Sequence, residues 1–185
     1  MVHRRVLLGL LLVLHSAPAR AGGIDVTTGV GGALSAWRGD AGPQGWGLVG
    51  YRFNRLVVLE GSGRLGYAPV DKRTLVVLGL GASLWAPTGL VRPMVRLAVL
   101  HQHEEPRDAL VANVFEAVMG VGDGIRHRAG LEAATGVGFE ISRLASSPLL
   151  LGLDVRGSLH PDTRGPRWYF GGGLWASVQF DLNPS

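Results

Sequence analysis

From Ile24 to Leu182 apolar residues recur at every second position, a period that belongs to strands with one apolar face rather than to helices. Over residues 24–37, Ile24, Val26, Thr28, Val30, Leu34 and Ala36 share one face, while Asp25, Thr27, Gly29, Gly31, Ala33 and Ser35 share the other. The scheme returns over 44–53, 56–67, 75–86, 91–102, 125–139, 149–159 and 167–182, which makes eight strands of ten or more residues. Asn54-Arg55 reads as a tight hairpin and Pro87-Thr88-Gly89 as a turn. Helical spacing is confined to 106–119, where Leu110, Val114, Ala117 and Val118 suit a short amphipathic turn or a cap over one end of the fold. An even count of such strands predicts an all-β fold, an antiparallel up-and-down barrel.

The N-terminus predicts export. His3, Arg4 and Arg5 precede an apolar run from Val6 to Leu14, and Ala19-Arg20-Ala21 offers small residues at the positions that signal peptidase reads. The run is about half of the ~20 residues a membrane-spanning helix needs. Residues 1–21 are therefore expected to be a removed signal peptide and 22–185 a single barrel domain. With Arg4, Arg5 and Arg20 gone, fifteen of the 18 basic residues remain against 14 acidic ones, so no basic stripe is left for nucleic acid. The chain has no cysteine, which excludes disulfides, thiolate metal sites, a catalytic thiol and a lipidated N-terminal Cys.

Alternation fits a soluble barrel with its apolar face inward as well as a membrane barrel with that face outward. Four features favour the second. The polar face is mainly Gly, Ala and Ser punctuated by charges, which suits a lumen that eight strands leave just wide enough for side chains, and the chain has one lysine, Lys72, where a water-facing surface would carry many. Ten residues at ~3.3 Å rise and ~40° tilt cover roughly 25 Å, the height of a lipid-facing band. With a periplasmic N-terminus, Phe53, Phe139 and Phe180 fall at the inner ends of strands, and Tyr67 and Trp168 at the outer ends, as an aromatic girdle. Inner connections are short and the longest loop, 103–124, is outer; the stretch 140–148 is longer than an inner turn usually is.

On these features the chain resembles the small eight-stranded outer-membrane barrels of the OmpA-like and OmpX-like kind. The resemblance is one of pattern across nearly the whole of 22–185: eight alternating strands, short inner turns and a last strand ending in an aromatic. It implies a transmembrane barrel in the outer membrane of a Gram-negative envelope, surrounded by lipid and lipopolysaccharide, monomeric, and inserted by the barrel-assembly machinery. The family commonly ends on the aromatic itself, whereas here Phe180 is followed by Asp181-Leu182-Asn183-Pro184-Ser185.

The face expected inward carries Arg52, Arg64, Arg92, Arg96, Arg126, Arg128 and Arg156 with Asp25, Glu60, Glu132, Asp154 and Asp181. Charges in a narrow barrel must be paired and hydrogen-bonded to offset their desolvation, which predicts a structural plug of ion pairs rather than an ion path. His101-Gln102-His103-Glu104-Glu105 offers two imidazoles and a carboxylate for zinc, but H-E-x-x-H is absent and solvated polar residues at a strand end are the expected reading. Ser158, His160 and Asp162, or His127 with a nearby carboxylate, are the residues from which a Ser-His-acid set would be built, though nothing in their spacing selects it. Gly120 to Gly124 is followed by no Lys-Ser/Thr and is not a phosphate loop. No catalytic, metal or cofactor-binding residue is therefore assigned, and the expected role is non-catalytic: structural, or recognition through the outer loops. A lipid-modifying enzyme, a narrow channel and a soluble periplasmic ligand-binding barrel are the alternatives.

Overall fold

The computed structural model describes residues 22–36, 40–54, 56–86, 89–106, 113–121, 124–144 and 147–182. The leader and Trp37 lie outside them. Eight strands run in chain order: β1 (Gly23–Ser35), β2 (Ala41–Arg52), β3 (Val57–Ala68), β4 (Arg73–Trp85), β5 (Val91–Pro106), β6 (Arg126–Leu144), β7 (Ser147–Leu159) and β8 (Trp168–Asp181). A short helix, α1 (Val114–Met119), interrupts the β5–β6 connection. Each strand pairs antiparallel with the next, and β1 pairs with β8 from Gly23↔Asp181 to Ser35↔Tyr169, so the sheet closes into a barrel with no free edge.

The faces are those of a barrel turned inside out. Leu80, Leu97, Val30 and Leu174 point away from the lumen and are 70%, 69%, 68% and 66% exposed, while Asp25, Arg96, Glu132 and Asp154 are buried inside. Soluble chains do not leave a continuous apolar belt in water.

The first and last described residues lie at one end of the barrel, where the Leu182 N–H donates to the Gly22 carbonyl at 3.0 Å. Connections there are short. Asn54 Oδ1 accepts from the N–H groups of Leu56 and Val57 at 2.8 and 2.9 Å, a side chain standing in for backbone at the β2–β3 turn. The stretch 140–148 is not the long turn its composition suggests. β6 continues to Leu144 and β7 begins at Ser147, with a bulge between Glu140 and Ser142 that breaks the alternation and hides the strand's continuation. At the opposite, loop end the β3–β4 turn passes through Lys72 at φ 52°, and the buried Asp40 carboxylate accepts from the N–H groups of Val70 and Asp71, both at 3.0 Å. β5 also runs further than its alternation indicates, to Pro106, because His103-Glu104-Glu105 puts polar groups on both faces. Within the connection that follows, Asn113 Oδ1 accepts from the N–H groups of Phe115 and Glu116 at 3.2 and 3.3 Å to cap α1. Gly120, at φ 70°, ends the helix.

Inside, toward the end that carries the termini, Trp46, Leu150 and Trp175 form an apolar cluster with Leu48 and Trp85 against it. Trp85 and Trp175 meet edge to face, with ring centroids 5.8 Å apart. Register explains how two indoles fit. Trp46, Gly29, Trp175, Gly152 and Gly138 are successive partners across β2, β1, β8, β7 and β6, so three glycines share a row with two tryptophans. A Cβ on Gly152 would lie 2.2 Å from Trp175 Cζ2 and 2.4 Å from the Val137 carbonyl oxygen. Overpacking of this kind costs about 1–3 kcal/mol. Gly152→Val should therefore lower the urea midpoint of the protein refolded in detergent micelles, or prevent closure; an unchanged midpoint would mean that Trp175 does not occupy this slot.

Candidate functional site

Polar residues at inward positions leave one place for chemistry within the barrel, its charged lumen. At the end that carries the termini, Arg52 on β2 bridges Asp25 on β1 at 3.0 Å and Asp181 on β8 at 3.1 Å. Arg92 donates to Gln179 Oε1 at 2.8 Å and pairs with Glu140.

The middle tier is built on Glu132. Its Oε2 takes Arg64 at 2.8 Å and the Ser158 hydroxyl at 2.9 Å, and its Oε1 takes Arg96 at 2.7 Å. Arg96 also lies 3.4 Å from Glu60, whose other oxygen accepts from Ser83 at 3.1 Å. Asp154 and Arg156, two residues apart on the inward face of β7, pair at 2.7 and 3.0 Å. The Arg156 guanidinium stands 3.8 Å above the Trp46 ring, a cation–π contact that joins the charges to the apolar cluster.

At the loop end Arg128 is fully buried. It donates to Glu104 at 2.6 Å, to Asp162 at 3.0 Å and to the Pro166 carbonyl at 2.7 Å. Glu104 also accepts from Tyr169 at 3.2 Å and from Gln102 at 2.8 Å. Arg126 lies at the rim, 2.9 Å from Asp71 and 3.4 Å from Glu104. Each arginine expected inward thus has a carboxylate neighbour. Four of the acids that serve them, Asp71, Glu104, Glu140 and Asp162, are not among those the alternation places inside. Glu104 and Glu140 lie beyond the recognisable ends of β5 and β6, and Asp162 lies in a loop.

The residues considered for nucleophilic chemistry do not assemble. Ser158 donates to Glu132, not to His160. His160 is fully buried, its ring edge-on to Tyr169 at 5.6 Å. Burial, and after it the Arg128 charge, hold its imidazole below the ordinary value. Burial pushes the Asp162 carboxyl up, but the Arg164 N–H and the Arg128 guanidinium outweigh it and leave the group below the usual range. His127 faces outward, away from this set, beside His101 and His103.

The strand end at 101–105 is not the solvated stretch expected of it. His103, Glu104 and Glu105 are all buried, Glu104 within the lumen and His103 against Gly120 just past α1. On the outer wall Phe53, Phe139 and Phe180 stand exposed toward the end that carries the termini, and Trp168 toward the loop end with Tyr67 half-buried. Tyr51 packs edge-on to Phe53 at 4.8 Å, and Phe170 stacks on Trp168 at 6.3 Å, so each band is broader than the five residues read from the pattern.

No protein-family model and no curated relative matches the chain. Solved structures do. Neisserial surface protein A is 17% identical, with 87% of this chain and 97% of that one covered at a TM-score of 0.57. The N-terminal β-barrel domain of Pseudomonas aeruginosa OprF is 15% identical, covering 85% and 99% at 0.58. Ail, the attachment invasion locus protein of Yersinia pestis, solved with the heparin analogue sucrose octasulfate, is 11% identical, covering 86% and 99% at 0.51. At these identities what is shared is the fold: the chain has the closed eight-stranded architecture of the small outer-membrane barrels, from end to end of its described strands.

Proposed function

We propose that this chain is an exported, monomeric outer-membrane barrel with a non-catalytic role in envelope structure or surface recognition, its lumen a static plug and its loop end the surface offered to the exterior. The observation that carries this reading is the pairing of the interior. Seven arginines on the inward face each lie within ion-pair distance of a carboxylate. Charges committed to one another in this way are poor carriers of an ion current and poor acids or bases. Two voids next to the network, one beside Glu132 and one under the loop end, hold about 10 and 30 Å³, room for one or two waters.

The outward apolar belt and its aromatic bands support a lipid environment, with outer-membrane lipid and lipopolysaccharide as the surrounding partners and the barrel-assembly machinery as the route of insertion. The fold shared with outer-membrane barrels of known structure points the same way. The loop-end rim, carrying Arg73, Arg126 and Arg164, is the surface on which recognition of an external partner would fall.

The test is refolding of residues 22–185 from urea into detergent micelles. A closed barrel migrates differently on SDS gels before and after boiling, and on reconstitution into a planar bilayer this one is expected to show no steady conductance. A soluble monomer in detergent-free buffer, or a stable open channel, would overturn the reading. Within the plug, Glu132→Ala should strand the Arg64 guanidinium, leave Arg96 with Glu60 alone and destabilise the barrel by about 3–5 kcal/mol. A urea midpoint equal to that of the parent would remove Glu132 from its central place.

A further inference from the structure

We propose that the outer wall of the barrel at its loop end carries a binding site for a divalent late transition-metal ion of the zinc class, formed by His101, His103 and His127. Alternation puts His101 and His103 on the outward face of β5, and the β5–β6 register sets His103 directly opposite His127. The three rings close on one another, with centroid separations of 4.6, 4.8 and 5.5 Å. One potential ligand nitrogen from each lies within 4.8 Å of the others.

The spacing matches the chemistry. Metal–nitrogen bonds of ~2.0–2.1 Å at a tetrahedral angle place two ligand nitrogens about 3.4 Å apart, and His127 Nδ1 lies 3.4 Å from His101 Nε2. A small rotation of a ring closes the wider separation. Imidazole suits zinc, copper and nickel, whereas calcium and magnesium want oxygen. Three such ligands leave a fourth position for water or an external group.

A further feature points to a cation here. Glu105 follows on the same outward face two residues past His103, is fully buried, and among the described residues neither of its carboxylate oxygens has a hydrogen-bond partner. A buried carboxylate in that condition is costly unless a positive charge offsets it. Gly120, just past α1, lies against the His103 ring: a Cβ there would be 2.3 Å from His103 Cε1. The chain past α1 therefore covers the His103 side of the cluster and leaves His101 and His127 open, and an ion bound by the three rings ties β5 to β6.

The experiment is titration of untagged protein, refolded in micelles and stripped with chelator, with Zn²⁺ by calorimetry. One ion per barrel is expected, with affinity falling about tenfold or more in H127Q and in H101Q. Both residues are exposed, so both variants should keep the boiling-dependent gel shift that reports a closed barrel; if one does not, the other carries the comparison. Co²⁺ should give the visible absorption of a four-coordinate ion in the parent and lose it in the variants. Absence of saturable Zn²⁺ binding, or equal affinity in parent and folded variants, would overturn the proposal.

Discussion

The closing of β8 onto β1 is the constraint on which everything else in this molecule rests. In hydrocarbon there is no water to satisfy an open strand edge, so every strand needs two neighbours and the sheet must return to its start. Here it does so across thirteen register pairs, from Gly23↔Asp181 to Ser35↔Tyr169. Closure with eight strands fixes a lumen that side chains must fill. That leaves inward positions two ways to be occupied: by apolar chains with glycine opposite the largest, as in the row that holds Trp46 and Trp175, or by polar chains reaching across to one another.

The second solution governs the electrostatics. Charges within a low-dielectric wall are tolerable when geometry is good and the remaining hydrogen-bonding capacity is used. Arginine, with a planar fork that stays charged, meets that condition better than lysine, and the single lysine of the chain sits at an exposed turn. Glu132 shows the arrangement at its most economical: one carboxylate on β6 engages side chains from β3, β5 and β7. Such a cross-brace couples walls that the ladder joins only through intervening strands. It also commits the Ser158 hydroxyl to Glu132 rather than to His160, and so two residues sharing a face of one strand do not amount to a reaction centre.

Which parts of this were legible in the sequence follows from period and register. A two-residue period reports which face a side chain occupies, so the outward belt from Val26 to Leu174 and the inward arginines can be read from the chain alone. It fails where alternation fails: at the bulge between Glu140 and Ser142, and past Gln102, where both faces of β5 become polar. The acids hidden by those failures, Glu140 and Glu104, are partners of Arg92 and Arg128. Register is a relation between strands and has no local signature. Nothing in the spacing of His101 and His103 announces that His127, more than twenty residues on, stands opposite, nor that Gly138 and Gly152 flank Trp175. The tryptophans themselves carried a misleading signal, since large apolar residues on a polar face look like exceptions to the pattern rather than its centre.

The tryptophan row also sets the chronology of folding. Trp46 belongs to the second strand, while its ring lies against Gly29 on the first and Gly173 on the last, on either side of the seam. Thr27 and Ser177, whose hydroxyls meet near the same row, are 150 residues apart in the chain. In a water-soluble domain apolar collapse can precede final pairing; here the slot for the Trp46 indole lacks its β8 wall until the first and last strands have met. Core formation and ring closure are thus a single late event with a large loop entropy to overcome. The indole of Trp46, with its emission sensitive to surroundings, is a natural clock for that moment.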